Sequence, residues 1–250
     1  MKLPLELVEE IISYVPKTHI RLHCSRVAKS WSRLCQRRLF KTVDIHPRKL
    51  RSWLNKISPT NTELLGYVRT LTYVGYSLYS GTGEIEQPRI PLHDYFPSFR
   101  QLRSFNLSSI RVPLYSEKIE LFSAFKYTLS TISLSGCCTT KNAFVTLINH
   151  FPNLAYLNLR DLDYHKEDEP ATPLSRSLFK RLHVTEWSAD SLDLLDELAK
   201  LGLHFEEVVL PSTFPRSTWT AFARRVVGAF GPSTKRLRLL ETPRGVYGPP

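Results

Sequence analysis

No run of apolar residues in this chain approaches the roughly 18 that a membrane-spanning helix needs. Its N-terminus also lacks the basic, then apolar, then small-residue layout of a secretory signal. The expectation is a chain inside the cell, in the cytoplasm or nucleus or both, with no membrane partner. Cysteine is scarce: Cys24, Cys35, Cys137 and Cys138 are the four among 250 residues, one pair adjacent and none in a CxxC spacing. Neither a disulfide framework nor a zinc site is expected from that usage, and reduced thiols suit the compartment. His19, His23 and Cys24 lie close together but have no evident fourth ligand, so no metal is expected. Catalytic signatures are missing too: there is no GxSxG elbow, P-loop, HExxH or kinase motif. Gly81-Thr82-Gly83 lacks the third glycine and the strand-to-helix context of a phosphate loop, and Glu167, Asp168 and Glu169 are consecutive, which points their carboxylates apart. The chain reads as a non-enzyme without a cofactor. Acidic residues are the last deficit, 23 against 34 basic ones, for a net charge of +11. That implies an acidic partner and nothing finer, because the basic residues are spread along the chain and Asp161 to Glu207 is locally acidic.

What is present begins with LPLELVEEIISYV, Leu3 to Val15. Pro4 suits a first helical turn, where its missing N–H costs nothing, and Glu6, Glu9 and Glu10 favour the positive end of the helix dipole. A helix from about Pro4 to Tyr14 follows. Leu5, Leu7, Val8, Ile11, Ile12, Tyr14 and Val15 sweep an arc that is wide for a terminal helix. After Pro16, two more helices are expected, His19 to Lys29 and Trp31 to Leu39. Three helices in about forty residues enclose a core that is marginal by itself, so the surplus apolar arc is expected to meet another protein. The plainer alternative is that this segment is the first part of an α-helical core.

With SRVAKSW (Ser25 to Trp31) and RLFKTVDI (Arg38 to Ile45) added in order, residues 3 to 45 resemble an F-box. Ala28 stands where that family usually has cysteine and Phe40 where it often has tryptophan, and about one extra residue separates the first helix from SRVAKSW. The resemblance implies a three-helix F-box over residues 1–46 that docks on an acidic adaptor of the Skp type and, through it, on a cullin in an SCF ubiquitin ligase. By motif position it makes Leu3, Pro4, Leu7, Ile11, Val27 and Trp31 the adaptor-binding residues. Arg33, Arg37 and Arg38 would form a basic rim that speeds association.

The second signal is an apolar pattern at i, i+3 and i+5. It recurs as Phe40-Val43-Ile45, Val68-Leu71-Tyr73, Leu102-Phe105-Leu107, Leu129-Ile132-Leu134, Leu154-Leu157-Leu159, Phe179-Leu182-Val184 and Phe205-Val208-Leu210, with a degenerate copy ending in Leu237 and Leu239. From the third copy the starting positions lie 27, 25, 25 and 26 residues apart. Helical spacing fills Asn142 to His150, Ser191 to Leu201 and Thr218 to Phe230, while YSGTGEIEQPRIP and DYHKEDEPATP read as insertion loops. This interval is similar to that of leucine-rich repeats. LSTISLSGC, Leu129 to Cys137, resembles their cysteine-containing class, which implies a buried structural thiol for Cys137. The fold class expected is thus α/β, with the F-box followed over residues 47–250 by a curved leucine-rich-repeat-like solenoid of alternating strands and helices.

If i+3 and i+5 point inward, alternation puts i+2, i+4 and i+6 on the solvated concave face. Ser104, Asn106, Ser108, Tyr156, Asn158, Arg160, Arg181, His183 and Thr185 are the target-binding candidates. The functional expectation, similar to fungal F-box proteins with degenerate repeats, is a non-catalytic substrate receptor that holds an unknown target protein near the conjugating enzyme. Two other readings stand beside it. One is a basic solenoid that binds nucleic acid through Arg224, Arg225, Lys235, Arg236 and Arg238, a partner the spread of charge disfavours. The other is an F-box scaffold without ubiquitin transfer.

Overall fold

The computed structural model describes residues 5–14, 23–24, 26, 29–46, 59–75, 96–110, 119–165, 173–174, 178–186, 189–211, 224–228, 230–231 and 234–240. Two helices come first, α1 (Leu5–Tyr14) and α2 (Lys29–Leu39). The helix expected over His19 to Lys29 falls mostly outside the described residues; His23 and Cys24 are helical, and the Arg26 N–H donates to the His23 carbonyl at 3.0 Å. Val8 and Ile12, one turn apart on α1, pack with Leu34 and Cys35 of α2 into a small core, edged by Cys24, Trp31 and Leu39.

Strand β1 (Thr42–Ile45) follows α2 within three residues and opens an eight-stranded sheet. The others are β2 (Thr70–Val74), β3 (Ser104–Ser108), β4 (Thr131–Ser135), β6 (Tyr156–Arg160), β8 (Leu178–Glu186), β9 (His204–Pro211) and β10 (Arg236–Leu240). Each strand lies beside its predecessor in chain order and every pair is parallel. Parallel neighbours need a crossover between them. Those described are 3₁₀ stretches at Pro59–Tyr67 and Ile119–Phe125 and the helices α3 (Lys141–His150) and α4 (Ala189–Lys200). Thr140 caps α3, its hydroxyl accepting from the Ala143 N–H at 3.3 Å.

The i, i+3, i+5 pattern sets the register. Phe105 pairs with Ile132, Ile132 with Leu157 and Leu157 with Leu182, so equivalent positions of successive copies stack as continuous rows. Strands β2, β3 and β4 alternate half-buried and buried residues, as one covered face requires. The covered face carries a phenylalanine cluster of Phe96, Phe99, Phe105, Phe122, Phe125 and Phe151, with ring centroids 5.2–6.3 Å apart and Phe125 stacked on Phe151. A second group, Phe179, Phe205 and Phe230, continues the core toward β10.

Two backbone devices repeat with the pattern. The carbonyl one residue before a strand accepts two N–H groups from the next copy: Lys41 from Arg69 and Thr70, Arg69 from Arg103 and Ser104, Arg103 from Ser130 and Thr131. Seven residues after the copies at Leu102, Leu129 and Leu154 start, Ser109, Gly136 and Asp161 adopt left-handed φ, at 55°, 56° and 47°. The equivalent Gly75 is needed for a different reason: a Cβ there would lie 2.3 Å from the Ser109 carbonyl oxygen. Immediately after these turns come two short strands that the sequence pattern did not suggest, β5 (Cys138–Thr140) and β7 (Asp163–His165), paired parallel in a second sheet.

Candidate functional site: an uncovered apolar helix face and a polar sheet face

Helix α1 buries one stripe and exposes another. Val8 and Ile12 are 2% and 0% accessible, whereas Leu7, Ile11 and Tyr14 are 46%, 43% and 78% accessible. Spacings of four and three residues place those three on a single line along the helix. Such a line of large apolar side chains is the kind of exposed patch that marks an interaction surface. Among the expected adaptor-binding residues, Leu7 and Ile11 lie on this stripe, and Trp31 is half-buried at the edge of the small core. Leu3, Pro4 and Val27 lie outside the described residues.

The three arginines expected to form one rim separate. Arg33 is exposed, and Arg38 reaches back to donate to the Glu9 carbonyl of α1 at 3.5 Å. Arg37 lies over the Tyr67 ring, 5.7 Å from its centroid. The face of an aromatic ring attracts a cation, which accounts for the contact.

On the sheet, the candidate target residues occupy the half-buried side opposite the phenylalanine core, with Arg160 exposed. Lateral hydrogen bonds link several of them. The Asn106 amide donates to Thr72 Oγ1 at 3.2 Å and its Oδ1 accepts from Ser104 Oγ at 3.2 Å, and Asn158 donates to Ser133 Oγ at 2.9 Å. Arg181 stacks over Tyr156, 5.8 Å from its centroid, and its Nε donates to Glu207, which also forms an ion pair with Arg238, Nε lying 2.9 Å from Oε1. Among the described residues, neighbouring His183 has no hydrogen-bond partner for a buried Nε2, and burial followed by the Arg181 charge holds its imidazole below the ordinary histidine range. The row is therefore partly tied up in itself through Asn106, Asn158 and Arg181, and Arg160 is its exposed member. Ser108 is half-buried one position further along β3, and the Thr185 side chain lies outside the described residues.

The late basic cluster is mostly neutralised. Arg225 pairs with Asp193 and Asp196, Lys235 with Glu206 at 3.0 Å, and Arg238 with Glu207. Cations already matched to carboxylates release fewer counterions on meeting a phosphate backbone, which weakens the nucleic-acid reading.

Cys137 is fully buried, as the resemblance implied, and its thiol donates to the Leu107 and Ser135 carbonyls, each at 3.4 Å. Ile110 and Leu162 stand at the equivalent positions of the copies on either side, both buried, so the position demands apolar volume first and a thiol second. Burial pushes the thiol up from 9.0 to about 11. An unfolded chain would ionise this group near 9 while the folded one keeps its proton until about 11. The linked stability, roughly 2 to 3 kcal/mol, is therefore complete below pH 9 and lost as pH rises through that interval. Alkaline thermal melts should show this slope in the native sequence and not in Cys137→Ala. At pH 8, half-buried Cys24 should react with a thiol reagent while Cys137 does not.

The molecule so described is an α/β chain with one large parallel sheet and, among its described residues, no helix long and apolar enough to cross a membrane. A sequence model for the F-box domain matches residues 1–42, the segment that holds α1 and α2. Domains of this family typically bind the Skp-type adaptor within SCF complexes, and the match suggests an SCF-type substrate-adaptor role; proteins that carry them are generally non-catalytic. A search of curated proteins finds no match to the chain.

Proposed function

We propose that this chain is a substrate-receptor subunit of an SCF-type ubiquitin ligase. Its N-terminal helices bind the adaptor through Leu7 and Ile11, with Leu3, Pro4, Val27 and Trp31 completing the contact, and the sheet holds a target protein. The observation that carries the reading is the Leu7–Ile11–Tyr14 stripe, uncovered in the isolated chain and lying within the segment that matches an F-box. Buried aliphatic anchors are the usual energetic centre of an interface, and Leu7 and Ile11 are exposed aliphatics of the matched segment.

The remainder is a leucine-rich-repeat-like solenoid. Support comes from strands stacked in chain order at intervals of 25 to 34 residues and from apolar positions i, i+3, i+5 and i+8 that recur from copy to copy. Val43 and Ile45 join the large core rather than the small one, which supports a helical module that ends close to the proposed boundary at residue 46. The polar face around Tyr156, Arg160, Arg181 and His183 receives the target. Catalysis belongs to the complex, and this chain contributes proximity between a target lysine and the charged conjugating enzyme.

The test is a reconstituted ligase. Proteins retained on the immobilised full chain should gain ubiquitin when adaptor, cullin, RING subunit and charged conjugating enzyme are supplied together, and should not when the adaptor alone is omitted. Adaptor binding without modification of any retained protein would instead make the chain a scaffold.

A further inference from the structure

Between α2 and the start of the sheet lies a cleft of about 360 Å³ lined by Arg37, Lys41, Tyr67, Arg69 and Gln101. Its cations come from two sources. Arg37 projects from the last turn of α2. Lys41 and Arg69 belong to the row of residues just before each strand, which the doubled carbonyl bonds hold in line, and Arg103 is next in that row. Neighbouring strands lie about 4.8 Å apart, so three consecutive positions of the row present three positive charges side by side.

Nothing described neutralises them. Among the described residues no carboxylate pairs with Arg37, Lys41, Arg69 or Arg103. Among the described residues the Arg69 guanidinium is held by the Gln101 carbonyl alone, to which Nη1 donates at 3.1 Å. Burial, then the Arg103 and Arg37 charges, lower its affinity for its proton, the mark of cations crowded together without a counterion. The other end of the same row is built differently. There Glu206 occupies the equivalent position, and the following lysine, Lys235, binds it directly. One end of the row is thus compensated by the chain itself and the other is left open.

We propose that this cleft is a binding site for a compact phosphate-bearing anion, held by Arg37, Lys41 and Arg69, with Arg103 flanking it in the same row. Guanidinium forks match phosphate oxygens in geometry, and several of them suit an anion of more than one negative charge. The volume is at the small end of the range for ligand sites, which fits one or two phosphoryl groups and excludes a wrapped polymer. Two sources share this chemistry, a free small polyphosphate and a phosphorylated side chain. The site stands on its own geometry and does not depend on the adaptor reading.

Titration calorimetry of the full chain at 150 mM salt tests it, with inorganic tripolyphosphate in one arm and a doubly phosphorylated serine peptide in the other. One of the two should bind with one-to-one stoichiometry, and the arm that does so identifies the source. Arg69→Gln should weaken that binding roughly tenfold to hundredfold, the usual loss for one charge-assisted contact. Should Arg69→Gln misfold, Arg37→Gln and Lys41→Gln carry the same expectation, since both residues line the cleft and are exposed. Lys235→Gln should leave binding unchanged. Absence of binding in both arms, or an equal loss with Lys235→Gln, would overturn the assignment, the latter because it reveals attraction to overall charge alone.

Discussion

Leu7→Asp is expected to weaken adaptor binding at least roughly a hundredfold, with Ile11→Asp close behind and the pair together removing it. The size follows from placing a charge where an apolar anchor becomes buried: the substitution loses the anchor's contacts and strands a carboxylate in a dry interface. The same change should alter the stability of the free chain by no more than about 0.5 kcal/mol, because both side chains already face solvent there. Val8→Asp, one residue away but within the small core, should unfold the helical pair instead. Calorimetric binding and thermal melts on the three variants distinguish an interface from a fold defect. Unchanged adaptor affinity in Leu7→Asp with Ile11→Asp would remove the basis of the proposed function.

The largest effect on stability is expected at Phe105. Its ring sits at the i+3 position of β3, fully buried, with Phe96, Phe122 and Phe125 at 6.3, 5.7 and 5.9 Å. Truncation to alanine removes contacts with three other rings at once and leaves a cavity that rigid neighbouring strands cannot close. A loss of about 3 to 5 kcal/mol follows, or roughly 6 to 20 °C in melting temperature for a domain of this size. Phe105→Leu, which keeps most of the volume, should lose well under half of that. Denaturant melts of both variants measure the difference, and a loss below about 1.5 kcal/mol for the alanine form would mean that the cluster repacks.

The strands were legible because their signal is doubly redundant: each carries its own alternation, and the seven copies agree in phase. Val43 through Val208 all fall on the covered face, and even the degenerate copy forms β10, although Leu237 and Leu239 are half-exposed there. Helix α3 starts one residue before its expected beginning and α4 two residues before, within the usual fraying of helix ends. The cover of the core was harder to see. Leu65, Phe99, Phe125 and Phe151 each precede a strand by a nearly fixed distance, and each carbonyl accepts the N–H of the residue that begins the next copy. Their side chains sit on irregular turns without a helical or strand period, so no periodicity marks them in the sequence. Strands β5 and β7 escaped for a similar reason, being three residues long.

At the candidate sites, the apolar helix arc was readable from composition alone, but its division into a buried and an uncovered stripe was not. That division depends on where α2 lies, through Leu34 and Cys35. The basic cleft was invisible as a motif because its cations come from residues 37 to 103 and converge only through strand pairing.

The return bonds that start each copy have a consequence for how the chain tolerates change. At Leu129 the returning N–H reaches back four residues to Phe125, instead of the three seen at Val68, Leu102 and Leu154. A slack of this sort lets the crossovers differ in length while every strand still arrives on the same beat. Gains and losses of residues can thus accumulate between strands, where they are absorbed locally, and the nine-residue cassette from Leu102 to Ile110 and its counterparts works as the metronome of the whole stack.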